Sequence, residues 1–551
     1  MKKLLLTSVF GPYGVDDEYG VKENLMELFH NQVTKEQGIF SYRFNHNSQG
    51  LHFLASNIDM PTTVLDFPSL ARFKNELGKN YDYVGISFIV PNFEKAREMA
   101  AIVRKISPNS KIIIGGHGVN IPEAKDLIEH DYLCKGEGVR FLRELFGQNP
   151  DQPYKHPTMY SSFNRRVMGV PWANDSGSIV SGVGCSNKCR FCTTSHSFQK
   201  YIPFLETGRQ IYDVCCAHED ELGVSDFGVL DENFLKKPER AMELLEIMEK
   251  KQRFFSFAIF SSAETLIALE DLDILIRLGI NFVWIGIESQ KEIFEKNRGV
   301  DTVKLVVELK KRGISVLASS IMFLEHHDHQ SLWEDVEYAI SHQPDYLQFS
   351  VLGPLPGTPL FDDYDRDGRI LKDVAYKEWH GISKIWFKHD VFTREESHIY
   401  LNRAFHNDYR KNGASFLRAM KTKIAGYEYA VNHPNKTIRQ RAEESKKLLK
   451  QFWAFLPAAT VYKENQKTRE LIVENSSAMG NLFGKRTLKT WLLSLVVLCF
   501  ATKEFLRIKY FSDRRNPKTF KTSFPGKMVS AQKKIHAVTS LSGAKSDNFS
   551  L

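Results

Sequence analysis

Gly184-Cys185-Ser186-Asn187-Lys188-Cys189-Arg190-Phe191-Cys192 decides how this chain is read. It sets three cysteines at the spacing C-x3-C-x2-C, with an aromatic residue, Phe191, before the third. Thiolates this close in sequence can grip one face of a cubane cluster. Iron–sulfur clusters are usually held by four cysteines, so three would leave one iron open to a non-protein ligand. Zinc is a second reading, because it takes four ligands and His196 could be the fourth. A third is three cysteines with no metal. Cys134, Cys215, Cys216 and Cys499 outline no disulfide framework, which fits a reducing cytoplasm.

At 551 residues the chain is long enough for two to four domains. Its apolar content of 42% and charged content of 25% are those of an ordinary globular protein. The net charge of +8 is uneven: from Ser512 onward eight Lys and Arg face two acids, leaving +2 for everything before. A near-neutral body argues against a nucleic-acid enzyme with a broad basic face. Met1–Phe10 has a short apolar run with no small-residue cleavage site after it, so it reads as a β-strand rather than a signal peptide.

Residues 1–150 alternate short apolar runs (Lys3–Phe10, Thr62–Phe67, Tyr81–Val90, Lys111–Gly116, Tyr132–Cys134) with helical patterns such as Phe93–Ile106. That alternation predicts a doubly wound parallel sheet, Rossmann-like, with ligands at the carboxyl ends of its strands. Residues 151–175, with Pro153, Pro157 and Pro171, read as a linker. Residues 176–370 alternate again, with strands at Ser178–Val183, Asp226–Leu230, Phe255–Phe260, Phe282–Ile287, Ile314–Phe323 and Tyr346–Val351. Asp231, Glu232, Ser261, Ser262 and Glu288 fall at strand C-terminal ends, where barrel active sites lie. Helix N-capping would explain the serines equally well.

These motifs together resemble the radical S-adenosylmethionine (SAM) enzymes. The resemblance rests on the C-x3-C-x-aromatic-C loop after a strand. It extends to Val229–Phe234, Trp284–Ser289 and the turn Gly353-Pro-Leu-Pro-Gly-Thr-Pro-Leu360. It implies a (β/α)6 partial TIM barrel and a [4Fe–4S] cluster held by Cys185, Cys189 and Cys192. The open iron would bind SAM, whose reductive cleavage yields a 5′-deoxyadenosyl radical. It also implies a SAM site bordered by Phe191, Asp231, Glu232, Ser262 and Glu288, and an electron donor such as flavodoxin or ferredoxin. Residues 1–150 resemble the cobalamin-binding domain fused ahead of many such barrels, through Val84–Ser87, Gly115-Gly116-His117 and Lys135–Gly138. On that resemblance Ser87, Gly115, Gly116, His117, Gly136, Glu137 and Gly138 would border cobalamin. The D-x-H-x-x-G motif of other cobalamin proteins is absent, and His117 is either a ligand or a turn residue. The reaction implied is methylation of an unactivated carbon. Ring formation, coupling or rearrangement without cobalamin is the alternative, and a metal-binding module without activity is the non-enzyme alternative.

After the fifth barrel strand many relatives have a Gly-Pro-Gly turn. Here it is Phe323-Leu-Glu-His-His-Asp-His329, a solvated loop or a metal site. Residues 371–484 read as a helical domain, broken at His433-Pro434. Within 485–511, Trp491–Ala501 is the most apolar run, too short to span a bilayer and flanked by cations. It is either a core helix or a helix lying in a membrane surface, which would make a lipid substrate natural. Residues 512–551 read as a basic disordered tail able to contact acidic headgroups. The expected location is cytoplasmic, with no nucleic-acid partner.

Overall fold

The structure is a computed structural model, describing residues 2–171, 175–291, 297, 299–511 and 513–526. In chain order its strands are β1 Leu4–Thr7, β2 Arg43–His46, β3 Thr62–Asp66, β4 Tyr83–Ser87, β5 Lys111–Gly115, β6 Tyr132–Leu133, β7 Ser162–Val167, β8 Val170–Pro171, β9 Gly177–Val180, β10 Gly182–Val183, β11 Ile202–Pro203, β12 Asp226–Leu230, β13 Ser256–Phe260, β14 Ile280–Glu288, β15 Ser315–Met322, β16 Tyr346–Val351 and β17 Phe520–Phe524. Two compact units contain them. One comprises 1–12, 48–157 and 515–551, the other 13–47 and 158–514.

In the first unit the strand order is β17-β3-β1-β4-β5-β6, parallel except for β17. Without β17 this is the 2-1-3-4-5 order of a doubly wound sheet, whose switch point falls between β1 and β4. Leu4, Leu5 and Leu6, like Ile112, Ile113 and Ile114, are buried on both faces, which explains their unbroken apolar runs. The helix Phe93–Ile106 covers one face with Phe93, Ala96, Met99, Ala100 and Val103. The strand β17 corrects the sequence reading. Phe520–Phe524 was expected in a disordered tail, yet it pairs antiparallel with β3, and Lys521 Nζ donates to Glu76 at 2.8 Å. Its alternating Phe520-Lys-Thr-Ser-Phe524 pattern was masked by the Lys- and Pro-rich composition around it. The remainder of that tail, 527–551, lies outside the described residues.

The second unit holds the parallel sheet β16-β15-β14-β13-β12-β9. These are the six predicted barrel strands in sequential order. Two boundaries differ from the sequence reading. Residues 13–47, expected in the first domain, belong here, and β2 pairs with β7 in the three-stranded sheet β2-β7-β8. Within the expected linker 151–175, Ser162–Val167 and Val170–Pro171 are strands. The helical region expected as separate domains clusters with the barrel. Its helices Ser415–Val431 and Lys436–Phe452 flank His433-Pro434 as predicted. Buried Arg418 and Asp408 pair there at 2.7 Å.

Candidate functional site

The chain leaves β9, makes the short β10–β11 ladder, and places the cysteine loop between β10 and the helix Thr193–Phe198. Gly184 (φ 85°) starts this loop where only glycine fits, since a Cβ would lie 2.1 Å from the Lys200 carbonyl. Cys185, Cys189 and Cys192 are free thiols, each half-buried. The Asn187 amide points at Cys185 Sγ (3.5 Å), and the Cys192 amide donates to the Cys189 carbonyl (3.0 Å). His196 Nε2 lies 3.1 Å from the Cys189 carbonyl and is engaged with backbone. Three accessible thiols on one loop, with an amide aimed at one sulfur, fit a cluster that keeps an open iron.

Asp231 and Glu232 follow β12 and divide the expected work. Asp231 is 5% exposed. It accepts from Arg240 Nη2 (2.8 Å), Tyr201 Oη (2.7 Å), Ser181 Oγ (2.7 Å) and the Asn233 amide (3.1 Å). Burial pushes its carboxyl up, but Arg240 and the hydroxyl donors outweigh this and hold it below the usual range. Both oxygens are spent within the fold, so Asp231 braces the site rather than facing a ligand. Glu232 is exposed, yet burial and then the Asp231 charge raise its pKa. A carboxylate that is accessible but desolvated faces a recess, here beside Thr194 and Cys185.

Ser261 and Ser262 do not cap the helix Ala263–Ile267 through their side chains. Instead Asn233 ties the ends of β12 and β13 together, donating to Ser262 Oγ (2.9 Å) and Thr265 Oγ1 (3.1 Å) and accepting from Ser261 Oγ (3.2 Å). The sequence reading missed Asn233, although its place two residues after Asp231 was a signal. Glu288 ends β14 at φ 55°, past a register shift against β15, and is 6% exposed. A positive φ at a bulky residue is an outlier that its surroundings must enforce. Asp335 enforces it from one side, accepting the Gln290 amide at 2.8 Å.

His327 explains the departure at the loop after β15. Its Nδ1 accepts the Leu324 amide (3.0 Å), so the proton sits on Nε2 and is donated to Asp335 (2.9 Å). Ligand atoms of His326, His327 and Asp335 come within 4.8 Å of one another. Both His327 nitrogens are already used, however, so the trio orients Asp335 rather than offering an open metal site.

In the first unit Ser87 and Gly115 end β4 and β5, next to the switch point. Ser87, Gly115 and His117 are half-buried and Gly116 is exposed. Burial lowers the His117 pKa, keeping the imidazole neutral. A hydroxyl, backbone groups and a neutral imidazole on this edge fit a cofactor bearing amide side chains. Three expected contacts have other work. A Cβ on Gly116 (φ 88°) would strike the Phe88 carbonyl at 2.5 Å, and one on Gly138 would strike Leu54 at 2.9 Å. Glu137 caps the helix Gly138–Leu145, accepting from the Val139 (2.6 Å) and Arg140 (2.8 Å) amides. Gly136, at φ 82°, is exposed in the turn before it.

An open parallel β/α barrel with a thiol triad after its first strand defines a class, and comparisons with known proteins agree. Residues 179–339 match the family model described as the radical SAM superfamily. An uncharacterized methyltransferase of Pyrococcus horikoshii is 23% identical over 368 residues, 59% of this chain and 78% of that one. Bacteriochlorophyllide d C-12(1)-methyltransferase of Chlorobaculum tepidum is 28% identical over 210 residues, 37% of this chain and 45% of its own. Hopanoid C-2 methylase of Rhodopseudomonas palustris is 24% identical over 208 residues, 36% of this chain and 39% of its own. The solved radical SAM methyltransferase TsrM of Kitasatospora setae shares the fold. Its TM-score is 0.50 at 14% identity, covering 81% of this chain and 99% of that one. Residues 179–339 thus carry a radical SAM domain, and relatives similar to more of the chain are named as methyltransferases. The chain is a radical SAM enzyme, and that family implies a [4Fe–4S] cluster and SAM.

Proposed function

We propose that this enzyme methylates an unactivated carbon using cobalamin, and that Cys185, Cys189 and Cys192 hold its cluster. The observation that carries the reading is the triad of accessible thiols at the barrel rim, with Glu232 recessed beside Cys185. When bound, the cluster supplies the electron that cleaves SAM and cobalamin carries the methyl group. The chain's own residues bind, orient and exclude water. Glu232 and Glu288 are the carboxylates offered to the SAM ammonium, while Asp231, Asn233 and Asp335 hold the strand ends that carry them. Ser87, Gly115 and His117 border the cobalamin. The electron enters from a small redox protein such as flavodoxin or ferredoxin.

Metal content and products test this directly. Anaerobically reconstituted protein supplied with cobalamin is expected to retain cobalt after desalting, together with four irons per cluster. A protein that holds the cluster and forms 5′-deoxyadenosine but retains no cobalt would instead favour ring formation, coupling or rearrangement.

The methyl acceptor in this proposal is a lipid reached at a membrane surface. The helix Leu488–Tyr510 buries a narrow stripe, Ser494, Val497, Ala501 and Glu504. That stripe packs into the helical core, and the rest of the helix surface is left exposed. Half of the large apolar side chains exposed among the described residues lie on it or just after it, including Trp491, Leu492, Leu495 and Val496. Lys485, Lys489, Lys503 and Lys509 are exposed around them. Among the described residues no helix is long and apolar enough to cross a membrane. An apolar face ringed by cations suits an anionic lipid surface, where each cation contributes about 1 kcal/mol. The protein is expected to sediment with phosphatidylglycerol vesicles, less so at high salt. Leu492→Glu with Leu495→Glu should abolish this while shifting stability by no more than about 0.5 kcal/mol. Equal sedimentation of the variant would sink the idea.

A further inference from the structure

At its β16 edge the barrel sheet meets a group of titratable side chains that the methyl-transfer reading leaves unused. The Val351 amide, last in β16, donates to the Gly381 carbonyl (3.0 Å), and Gln348 of the same strand donates to Gln32 (2.7 Å). These contacts hold the loop around His380 and the segment 13–47 against β16, with the loop at its carboxyl end. The cysteine loop follows the carboxyl end of β9 in the same parallel sheet. The helix Arg394–Asn412 completes the group, turning His398, Asn402 and Phe405 to one side by their spacing.

Three side chains here are positioned but not satisfied. Lys35 Nζ donates to Asn402 Oδ1 (2.5 Å) and lies 5.1 Å from the Phe405 ring centroid. Asn402 is fixed in turn, because its amide donates to His398 Nε2 (3.0 Å) and His398 Nδ1 then donates to Ser383 Oγ (3.2 Å). The ammonium therefore spends one of its three donors. His380 Nδ1 accepts the Ile382 amide (3.4 Å), which puts the proton on Nε2, and Nε2 has no partner among the described residues. Glu23 makes neither a hydrogen bond nor an ion pair among them.

All three are half-buried. The Glu23 charge acts on Lys35, His380 and His398, and the Lys35 charge acts on both histidines, so these groups surround one recess. Burial is the first cause of the lowered pKa at Lys35 and at His380, which it pushes down to about 4, leaving that imidazole neutral. Opposite charges sharing a desolvated recess gain by closing into a pair. Glu23 and Lys35 stay apart, with an N–H donor beside the cation. That spacing presents a seat for an oxyanion next to a seat for an ammonium.

We infer that Lys35, His380 and Glu23 form a head-group subsite for a zwitterion, Lys35 and His380 holding its oxyanion and Glu23 its ammonium. One cation and one anion make the subsite neutral, which disfavours a plain anion or a plain cation. The same chemistry occurs in the head group of an aminophospholipid and in a small free amino acid. This deepens the proposed methyl transfer by giving the polar end of its acceptor a chemistry. It rests on that reading only for the reaction, since binding needs neither cluster nor cobalamin.

The probe is O-phosphoethanolamine, titrated calorimetrically into the full-length protein without SAM or reductant, so failure of the radical chemistry leaves the test intact. One saturable site per chain is expected, with inorganic phosphate and ethanolamine each bound about tenfold more weakly, having lost one charge-assisted contact. Lys35→Met should weaken the probe about tenfold. Glu23→Gln should do the same while leaving phosphate affinity unchanged, a split that a general loss of structure would not give, and it keeps the test open should Lys35→Met fail to fold. Displacement of the probe by phosphatidylethanolamine in neutral detergent micelles assigns the subsite to a lipid head group. Displacement by glycine and not by the lipid assigns it to a free amino acid, and either result supports it. No saturable binding, phosphate bound as tightly as the probe, or probe affinity unchanged in both variants overturns it.

Discussion

Cys189→Ala is expected to leave a folded protein that holds almost no iron and forms no 5′-deoxyadenosine from SAM under strong reductant. The loop offers three thiols and no spare. Cys134 belongs to the other compact unit, and His196, the residue that could have completed a zinc site, is already engaged with the Cys189 carbonyl at 3.1 Å. Losing one of three ligands leaves two irons without protein donors, which a site built for one open iron does not tolerate. The fold should survive, because all three thiols are half-buried on a loop and carry no core packing. Iron and sulfide per chain, zinc per chain and the yield of 5′-deoxyadenosine are the measurements. Full iron content with normal SAM cleavage would show that the triad is not the ligand set, and stoichiometric zinc in the wild type would revive the zinc reading.

What the sequence revealed and what it hid have physical causes. Asp226–Leu230, Tyr346–Val351 and the helix Phe93–Ile106 were legible to the residue, because a short mostly apolar run or one clean helical stripe marks the element. β2 and β7 were not, because Arg43, Asn45, Asn164, Arg165 and Arg166 make these strands polar. Their charges are satisfied by partners distant in sequence, as where Arg43 and Arg166 grip buried Glu27 at 2.7 and 2.6 Å. The same limit applied within the site. Strand-end placement found Asp231, Glu232, Ser262 and Glu288 but could not say which carboxylates were already occupied. Arg240, nine residues past Asp231 on the next helix, settles that only in three dimensions.

Arg240→Met should therefore cost far more stability than any change at Glu232, about 3–5 kcal/mol. The side chains of Arg240 and Asp231 are 2% and 3% exposed and 2.8 Å apart, so removing the cation strands a buried carboxylate. Tyr201 and Ser181 still donate to it, which sets the lower end of that range. Replacing both partners, Arg240→Met with Asp231→Leu, should recover part of the loss, since an unpaired buried charge is what makes the single change expensive. The pH dependence has a definite sign. The folded Asp231 carboxyl lies below its unfolded value of about 3.9. Its contribution is present above that value and lost as pH falls through the lower folded one. Glu232→Gln should behave oppositely, leaving stability within about 0.5 kcal/mol. SAM binding should weaken about ten- to a hundredfold, through loss of one charge-assisted hydrogen bond of about 1.5–3 kcal/mol. Because the Glu232 pKa is raised, wild-type SAM affinity should fall on acidification before an ordinary glutamate near 4.3 would titrate. Thermal melts and SAM titrations of the three variants, with iron content as a control, separate the two acids. A stable Arg240→Met protein with weakened SAM binding, beside a Glu232→Gln protein that binds SAM normally, would reverse their assignments.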